Sequence, residues 1–88
     1  NSQSLREVKL RPKIGDHDLE VKTRQVGRLL DGGDKVKVTL RFRGREIVHQ
    51  DLAQDLLQRI GQEVPDQGEF VSKPSMQGRT MSAILAPV

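Results

Sequence analysis

The chain has 88 residues and a mass of 9.9 kDa, enough for one hydrophobic core and one domain. Hydrophobic residues make up 34% of it, only two residues are aromatic, and none is cysteine, which excludes disulfides and cysteine-ligated zinc. It contains no run of eighteen apolar residues, and it starts at Asn1 without a charged signal region or an initiator methionine. We therefore expect no membrane span and no secretory signal, and we expect a fragment or a processed product.

Positive charge is concentrated in the first half of the chain. Fifteen Lys and Arg against twelve Asp and Glu give a net charge of +3. Residues 1–45 hold twelve basic and six acidic residues (+6), whereas residues 46–88 hold three and six (−3). Nine of the cations are arginine, whose planar guanidinium suits bidentate contact with phosphate oxygens. Nucleic acid is the first partner to consider, and a charged surface that only keeps the chain soluble is the alternative.

The first predicted element is a strand over residues 5–14, with a period of two. Its inward residues are Val8, Leu10 and Ile14, and its outward residues are Lys9, Arg11 and Lys13. Because Pro12 cannot donate a ladder hydrogen bond, the strand should lie at a sheet edge or end near this point.

A turn at Gly15-Asp16-His17-Asp18 is predicted to lead into a helix that runs to about Asp31. Asp16 or Asp18 can cap its first free amides, and Gly32-Gly33 provides a C-terminal stop. The apolar stripe is Leu19, Val26, Leu29 and Leu30, with Arg24 and Arg28 one turn apart on the opposite side.

The clearest pattern covers residues 34–44. Val36, Val38, Leu40 and Phe42 face one way, and Lys35, Lys37, Thr39, Arg41 and Arg43 face the other. Such alternation needs one solvated sheet face, so both helices must cover the other face. The sequence therefore predicts an α/β two-layer sandwich, whose open face carries Lys9, Arg11, Lys37, Arg41 and Arg43.

The second half completes a β-α-β-α-β-β order. A helix over residues 45–61 has the apolar stripe Val48, Leu52, Ala53, Leu56 and Ile60. Residues 70–76 and 80–86 form a hairpin around Gln77-Gly78, although Pro74 weakens its first strand. We expect a four-stranded mixed sheet with two helices on one face, in which the first two strands are parallel and the hairpin is antiparallel. The strand order does not follow from the sequence.

Catalytic motifs are absent from the sequence. His17 and His49 are the only histidines, and structural roles explain both; Asp16-His17-Asp18 fits helix capping better than metal binding. No nucleophile elbow, phosphate loop or dinucleotide fingerprint occurs. We expect no enzyme, cofactor, metal or small-molecule substrate. An RNA-cleaving enzyme using His17 or His49 as acid or base would have to show turnover that is lost in a histidine variant.

The missing residue types narrow the kind of nucleic-acid binding. The chain has no Tyr or Trp, Phe42 falls on the core side of its strand, and no Gly-x-x-Gly occurs. Base stacking of the RNA-recognition-motif kind and clamping of the KH kind are thus disfavoured. Contact of arginine and lysine with phosphate and sugar, which recognises folded RNA by shape, remains.

Residues 33–46, Gly-Asp-Lys-Val-Lys-Val-Thr-Leu-Arg-Phe-Arg-Gly-Arg-Glu, resemble the C-terminal domain of bacterial translation initiation factor 3. The resemblance extends to residues 9–12, 17–24, 78–81 and 85–87 and covers nearly the whole chain. It implies a cytoplasmic β-α-β-α-β-β domain that binds ribosomal RNA on the platform of the small ribosomal subunit. It also implies that the domain hinders premature joining of the large subunit and supports selection of initiator tRNA and start codon.

By the same resemblance, arginines on several elements contact RNA: Arg11, Arg24, Arg28, Arg41, Arg43, Arg45, Arg59 and Arg79. With the lysines beside them, the predicted RNA-binding set is Lys9, Arg11, Lys13, Lys22, Arg24, Arg28, Lys37, Arg41, Arg43, Arg45, Arg59 and Arg79. We expect these cations to form one electropositive surface. Leu19 stands where the family often has tyrosine, and Leu29-Leu30 where it often has Phe-Leu, which are core exchanges.

We expect residues 1–4 to be the remainder of an interdomain linker and residues 5–88 to be the C-terminal ribosome-binding domain, without the family's N-terminal domain. No element offers an obvious self-pairing face, so a monomer is expected. The alternative function is a basic protein-interaction module that docks on an acidic protein surface.

Overall fold

The computed structural model describes residues 4–11, 13–44 and 50–88. Its elements are β1 (Leu5–Leu10), α1 (Asp16–Asp31), β2 (Lys35–Arg41), α2 (Gln50–Glu63), β3 (Gly68–Phe70), β4 (Ser75–Gln77) and β5 (Thr80–Pro87). They form a mixed sheet with both helices packed on one face. The predicted two-layer α/β class is confirmed.

The sheet order is β1-β2-β5-β3, and β4 also pairs with β5. β1 and β2 are parallel, with Val8 opposite Val38. β2 and β5 are antiparallel, with Val38 opposite Ala83. The predicted parallel pair joined by a helix and the predicted antiparallel hairpin, β4 with β5, are both present.

The edge next to β5 differs from the prediction, because two short strands replace the single strand expected over residues 70–76. Between β3 and β4, the Val71 N–H still donates to the Ile84 carbonyl at 2.9 Å. The Ile84 N–H then donates to the Ser72 hydroxyl at 3.0 Å, where a regular strand would offer a backbone carbonyl. Pro74 follows and has no N–H to give. The sheet therefore has five strands in four positions.

The start of α1 also corrects an expectation. Gly15 is the N-cap, with extended backbone (φ −74°, ψ 159°), and no described side chain makes a capping hydrogen bond. Asp16 and Asp18 lie inside the first turn, where their charge favours the positive end of the helix dipole. The prediction that Asp16 or Asp18 caps the helix is therefore wrong.

The end of α1 is as predicted. The Gly33 N–H donates to the Leu30 carbonyl at 2.9 Å, and the Asp34 N–H donates to the Leu29 carbonyl at 3.2 Å. With Gly33 at φ +93°, these bonds form a Schellman motif, which needs a residue that tolerates positive φ.

The described part of α2 begins at Gln50, so the predicted start at Arg45 and the residues Val48 and His49 lie outside the described residues. Its apolar stripe is shifted from the prediction: Leu52 is 44% exposed, whereas Leu57 is fully buried. The helix ends at Glu63 and not at Gly61.

The core lies between the helices and the inner face of the sheet. It comprises Val8, Leu10, Leu19, Val26, Leu30, Val36, Val38, Leu40, Phe42, Ala53, Leu56, Leu57, Ile60, Val64, Met81, Ala83 and Leu85, with Leu29 partly buried against it. The inward residues predicted for β2 are confirmed, since Val36, Val38 and Leu40 are fully buried; of the outward residues, Thr39 is buried as well, at 8% exposed. Neither described helix has the length and apolar character needed to cross a membrane.

Candidate functional site

At one end of the sheet, chain segments that are far apart in sequence lie close together. Because β1 and β2 are parallel, their carboxyl ends, at Leu10 and Arg41, lie at the same end of the sheet. β5 is antiparallel to β2 and begins at this end, with Thr80 opposite Arg41. The turn that precedes β5 therefore lies beside the ends of β1 and β2.

That turn carries Arg79 to the end of β2. Gln77 and Thr80 pair across a two-residue loop, Gly78-Arg79, in which Gly78 has φ +62°. Glycine with positive φ at the first loop position is the arrangement of a type II′ hairpin turn. The Arg79 carbonyl accepts a hydrogen bond from the Phe42 N–H at 2.8 Å, which fixes the turn against the segment after β2.

Together these segments enclose a concavity of about 790 Å³, which we call the sheet-end concavity. It is lined by Glu7, Lys9, Arg11, Thr39, Arg41, Phe42, Arg43, Gly44, Arg79 and Thr80. Five of these residues are cationic, and Glu7 is the single carboxylate among the described residues that line it. Such an arrangement suits a polyanion, because phosphate oxygens accept from several guanidinium groups at once.

Most of these cations have no carboxylate partner among the described residues. Lys9 Nζ lies 3.9 Å from Glu7 Oε1, and both side chains are solvent-exposed. Within the described part of the chain, no carboxylate lies within 4.0 Å of Arg11, Arg41 or Arg79. The positive charges of Arg11, Arg41 and Arg79 are thus available to a ligand.

The open sheet face continues from the concavity. Lys37 is half-buried and lies opposite Glu7 on one side and Ile84 on the other. Ser82, opposite Thr39, adds a neutral polar position. The predicted cationic open face is therefore present, with its highest charge at the end where the concavity lies.

A smaller crevice adjoins the concavity, and Lys9 and Arg11 line both. It lies between the end of β1 and the start of α1, and its other cations are Lys13 and Lys22. Asp18 is the carboxylate among its described lining residues. Two further members of the predicted set thus lie next to the concavity.

The remaining predicted arginines line a groove between α1 and α2, which we call the interhelical groove. It has a volume of about 800 Å³ and contains Arg24, Arg28 and Arg59. Four carboxylates share its lining: Asp16, Glu20, Asp31 and Glu63. Arg24 donates to Glu20 one turn earlier, so one of the two α1 arginines is paired and Arg28 is not paired with any described carboxylate.

The described cations of the predicted set therefore occupy both layers of the sandwich. The sheet-end concavity and the interhelical groove have no lining residue in common. The helices cover the inner sheet face, so the predicted cations are divided between the concavity and crevice at one end of the sheet and the groove between the helices, and one continuous electropositive surface stays a prediction. Arg45 lies outside the described residues.

The family follows from comparison with known sequences. The family model described as "Translation initiation factor IF-3, C-terminal domain" matches residues 3–88. The chain belongs to this family.

Several relatives carry the name Translation initiation factor IF-3. The protein of Methylorubrum extorquens is 54% identical over 83 residues, which are 94% of this chain and 48% of the relative. That of Brucella suis biovar 1 is 48% identical over 94% of this chain and 47% of the relative. That of Hyphomonas neptunium is 44% identical over 98% of this chain and 48% of the relative. The chain spans about half the length of these curated relatives.

Glu7 was not among the residues predicted for this surface, whereas Thr39 was predicted on the outward face of β2. The Thr39 hydroxyl donates to Glu7 Oε2 at 3.0 Å, although Thr39 is only 8% exposed. The sequence did indicate that Glu7 lies on the open face, because Glu7 is two residues before Lys9 and must lie on the same face of β1. What the sequence could not provide was the register that places Glu7 beside Thr39.

The histidine positions add no catalytic arrangement. His17 is exposed in the first turn of α1. Among the residues described in this IF-3 C-terminal domain, no group of three His, Asp or Glu is placed to hold a metal ion. His49 lies outside the described residues, and the expectation of a noncatalytic protein stays a prediction.

Proposed function

We propose that this domain is a noncatalytic, cytoplasmic part of a translation initiation factor that binds small-subunit ribosomal RNA as a monomer. It blocks premature joining of the large subunit and supports start-site selection. The observation that carries the RNA-binding proposal is the sheet-end concavity, where five cations face a single described carboxylate. Membership of the IF-3 C-terminal domain family supports the ribosomal context.

The chemistry of the surface favours the RNA backbone over its bases. The described open face presents Lys, Arg, Thr and Ser together with Glu7 and Ile84, whereas Phe42 is 1% exposed and offers no stacking surface. Guanidinium groups bind phosphate and sugar, which define shape and carry no base sequence directly. We therefore expect recognition of a folded RNA element by its backbone.

The interhelical groove provides a second contact area on the other layer. Arg28 and Arg59 lie there with more carboxylates than arginines around them. An RNA that contacts this groove must keep its phosphates away from the acidic side chains or donate hydrogen bonds to them. A domain with cations on both layers can lie between two RNA elements, and this position favours a steric block at a subunit interface.

We also propose that residues 5–88 form the ribosome-binding unit and residues 1–4 the end of a linker. β1 begins at Leu5, and the Lys35 N–H donates to the Ser4 carbonyl at 3.0 Å, so ladder pairing begins there.

The test is a titration of small ribosomal subunits with the parent domain and an Arg41→Ala/Arg79→Ala variant. Loss of two contacts, each worth about 1 kcal/mol at 4 Å in water, should weaken binding roughly 30-fold. The dependence of log affinity on log salt should become less steep by about two. Lys73→Ala is the matched control, because Lys73 is an exposed cation outside the concavity and the groove. Unchanged affinity in the double arginine variant, with native circular dichroism, contradicts the proposal.

The same assay separates RNA binding from docking on an acidic protein. Competing ribosomal RNA should displace the domain from small subunits if the concavity binds RNA. Insensitivity to that competitor, or to ribonuclease treatment of the subunits, identifies a protein surface as the partner. Incubation of the domain with labelled ribosomal RNA should produce no cleavage, and cleavage lost in His17→Ala or His49→Ala indicates an enzyme.

A further inference from the structure

Glu7 is an acidic residue at a cationic site. It is the one carboxylate among the described lining residues of the sheet-end concavity. Its Oε2 accepts the Thr39 hydroxyl at 3.0 Å, and its Oε1 lies 3.9 Å from Lys9 Nζ. The two carboxylate oxygens are thus both directed toward groups of the open sheet face.

The ion pair with Lys9 does not account for this placement. The Glu7 side chain is 42% exposed and that of Lys9 is 79% exposed, and ion pairs of this kind contribute little to folding. The bond from Thr39 gives a buried hydroxyl its partner and directs the carboxylate toward the open sheet face. A phosphate that enters the concavity therefore meets a negative charge among the cations.

We propose that Glu7 is a specificity-determining residue that makes the concavity select against polyanions that have no hydroxyl donors. The inference rests on the proposed RNA-binding function and identifies a residue that tunes it. Polyphosphate carries a negative charge on every phosphate and has no hydroxyl that could donate to Glu7, so a stretch that spans the surrounding cations places charge against the carboxylate. A folded RNA has phosphates at fixed positions and ribose hydroxyls that can donate to a carboxylate, so it can contact the cations without the repulsion.

The experiment measures two ligands for each variant: inorganic polyphosphate, which has neither base nor sugar, and the small ribosomal subunit. Glu7→Gln keeps an acceptor for Thr39 and removes the charge. Its affinity for polyphosphate should rise about three- to tenfold, the effect of one unit charge at contact distance in water. The salt dependence of polyphosphate binding should become steeper by up to about one. Subunit affinity should change less than twofold, so the preference for the subunit falls.

Two variants control for charge and for structure. Glu7→Asp keeps the charge and shortens the side chain, so its polyphosphate affinity should stay within about twofold of the parent. Asp55→Asn makes the same change of charge at an exposed position of α2, and it should alter neither binding reaction. Because salt dependence reports charge at the contact, a purely structural role of Glu7 would not move it.

Two results overturn the inference: Glu7→Gln leaves polyphosphate binding unchanged, or it strengthens polyphosphate and subunit binding equally. Either result leaves the proposed function standing if Arg41→Ala/Arg79→Ala still weakens subunit binding. Retention of subunit binding in that arginine variant contradicts the proposed function itself.

Discussion

The aromatic ring of Phe70 lies directly against the α-carbon of Gly61. A β-carbon at position 61 would be 2.5 Å from Phe70 Cε2 and 3.1 Å from Cδ2. Glycine at this point of α2 lets β3 and the helix approach each other more closely than any other residue would allow.

Gly61→Ala should therefore lower the free energy of unfolding. Displacement of the Phe70 ring costs about 1–3 kcal/mol as overpacking, and the better helix propensity of alanine returns up to about 1 kcal/mol. We expect a net loss of about 1–2 kcal/mol in urea denaturation. A variant as stable as the parent would show that Phe70 rotates away freely.

Gly27→Ala should change the free energy of unfolding in the opposite direction, and it is the matched comparison for Gly61→Ala. A β-carbon at position 27 would be 3.4 Å from Val64 Cγ1, an ordinary van der Waals contact, within the regular helix α1. Alanine should raise the free energy of unfolding by up to about 1 kcal/mol through helix propensity. A loss of stability of the size expected for Gly61→Ala would mean that α1 and Val64 cannot move apart enough to accommodate the added methyl group.

Two leucines of α2 test the buried face of that helix. Leu57 is fully buried, whereas Leu52 is 44% exposed. Leu57→Ala should reduce the free energy of unfolding by about 2–5 kcal/mol, since it removes buried methyl groups and leaves a cavity. Leu52→Ala should cost no more than about 1 kcal/mol. Thermal unfolding of both variants in one buffer gives the ranking, and equal losses would contradict the burial of α2.

The α1 arginines test whether the interhelical groove takes part in RNA binding. Glu20 partly neutralises Arg24 but not Arg28. Arg28→Ala should therefore weaken small-subunit binding more than Arg24→Ala, by up to about sixfold if one phosphate contact worth about 1 kcal/mol is lost. The double variant should show the largest loss in the same titration. Unchanged affinity in a folded double variant would remove the groove from the interface and leave the sheet-end concavity as the contact.

Elements with a strong local pattern were predictable from the sequence. The alternation of Val36, Val38 and Leu40 predicted β2 and its buried face, and Gly32-Gly33 predicted the end of α1. In both cases a few neighbouring residues determine the local structure, and tertiary contacts have little influence on it.

Features decided by tertiary contacts were not predictable. Helical period alone allows either Leu52 or Leu57 on the stripe of α2, and packing against the sheet selects Leu57. Likewise, the sequence showed Pro74 but not that the Ser72 hydroxyl would accept from Ile84 and divide the strand. The composition pointed to arginine clusters, yet only strand order and register reveal that Arg79 joins Arg41 while Arg28 lies on the other layer.

The division between β3 and β4 has a consequence for how copies of the chain meet. A long regular strand at the margin of a sheet is a template on which another molecule can add its own strand. At this margin the chain offers only three-residue pieces, separated by a serine that uses its side chain and by a proline that has no donor. We therefore expect intermolecular strand addition to be disfavoured at this margin.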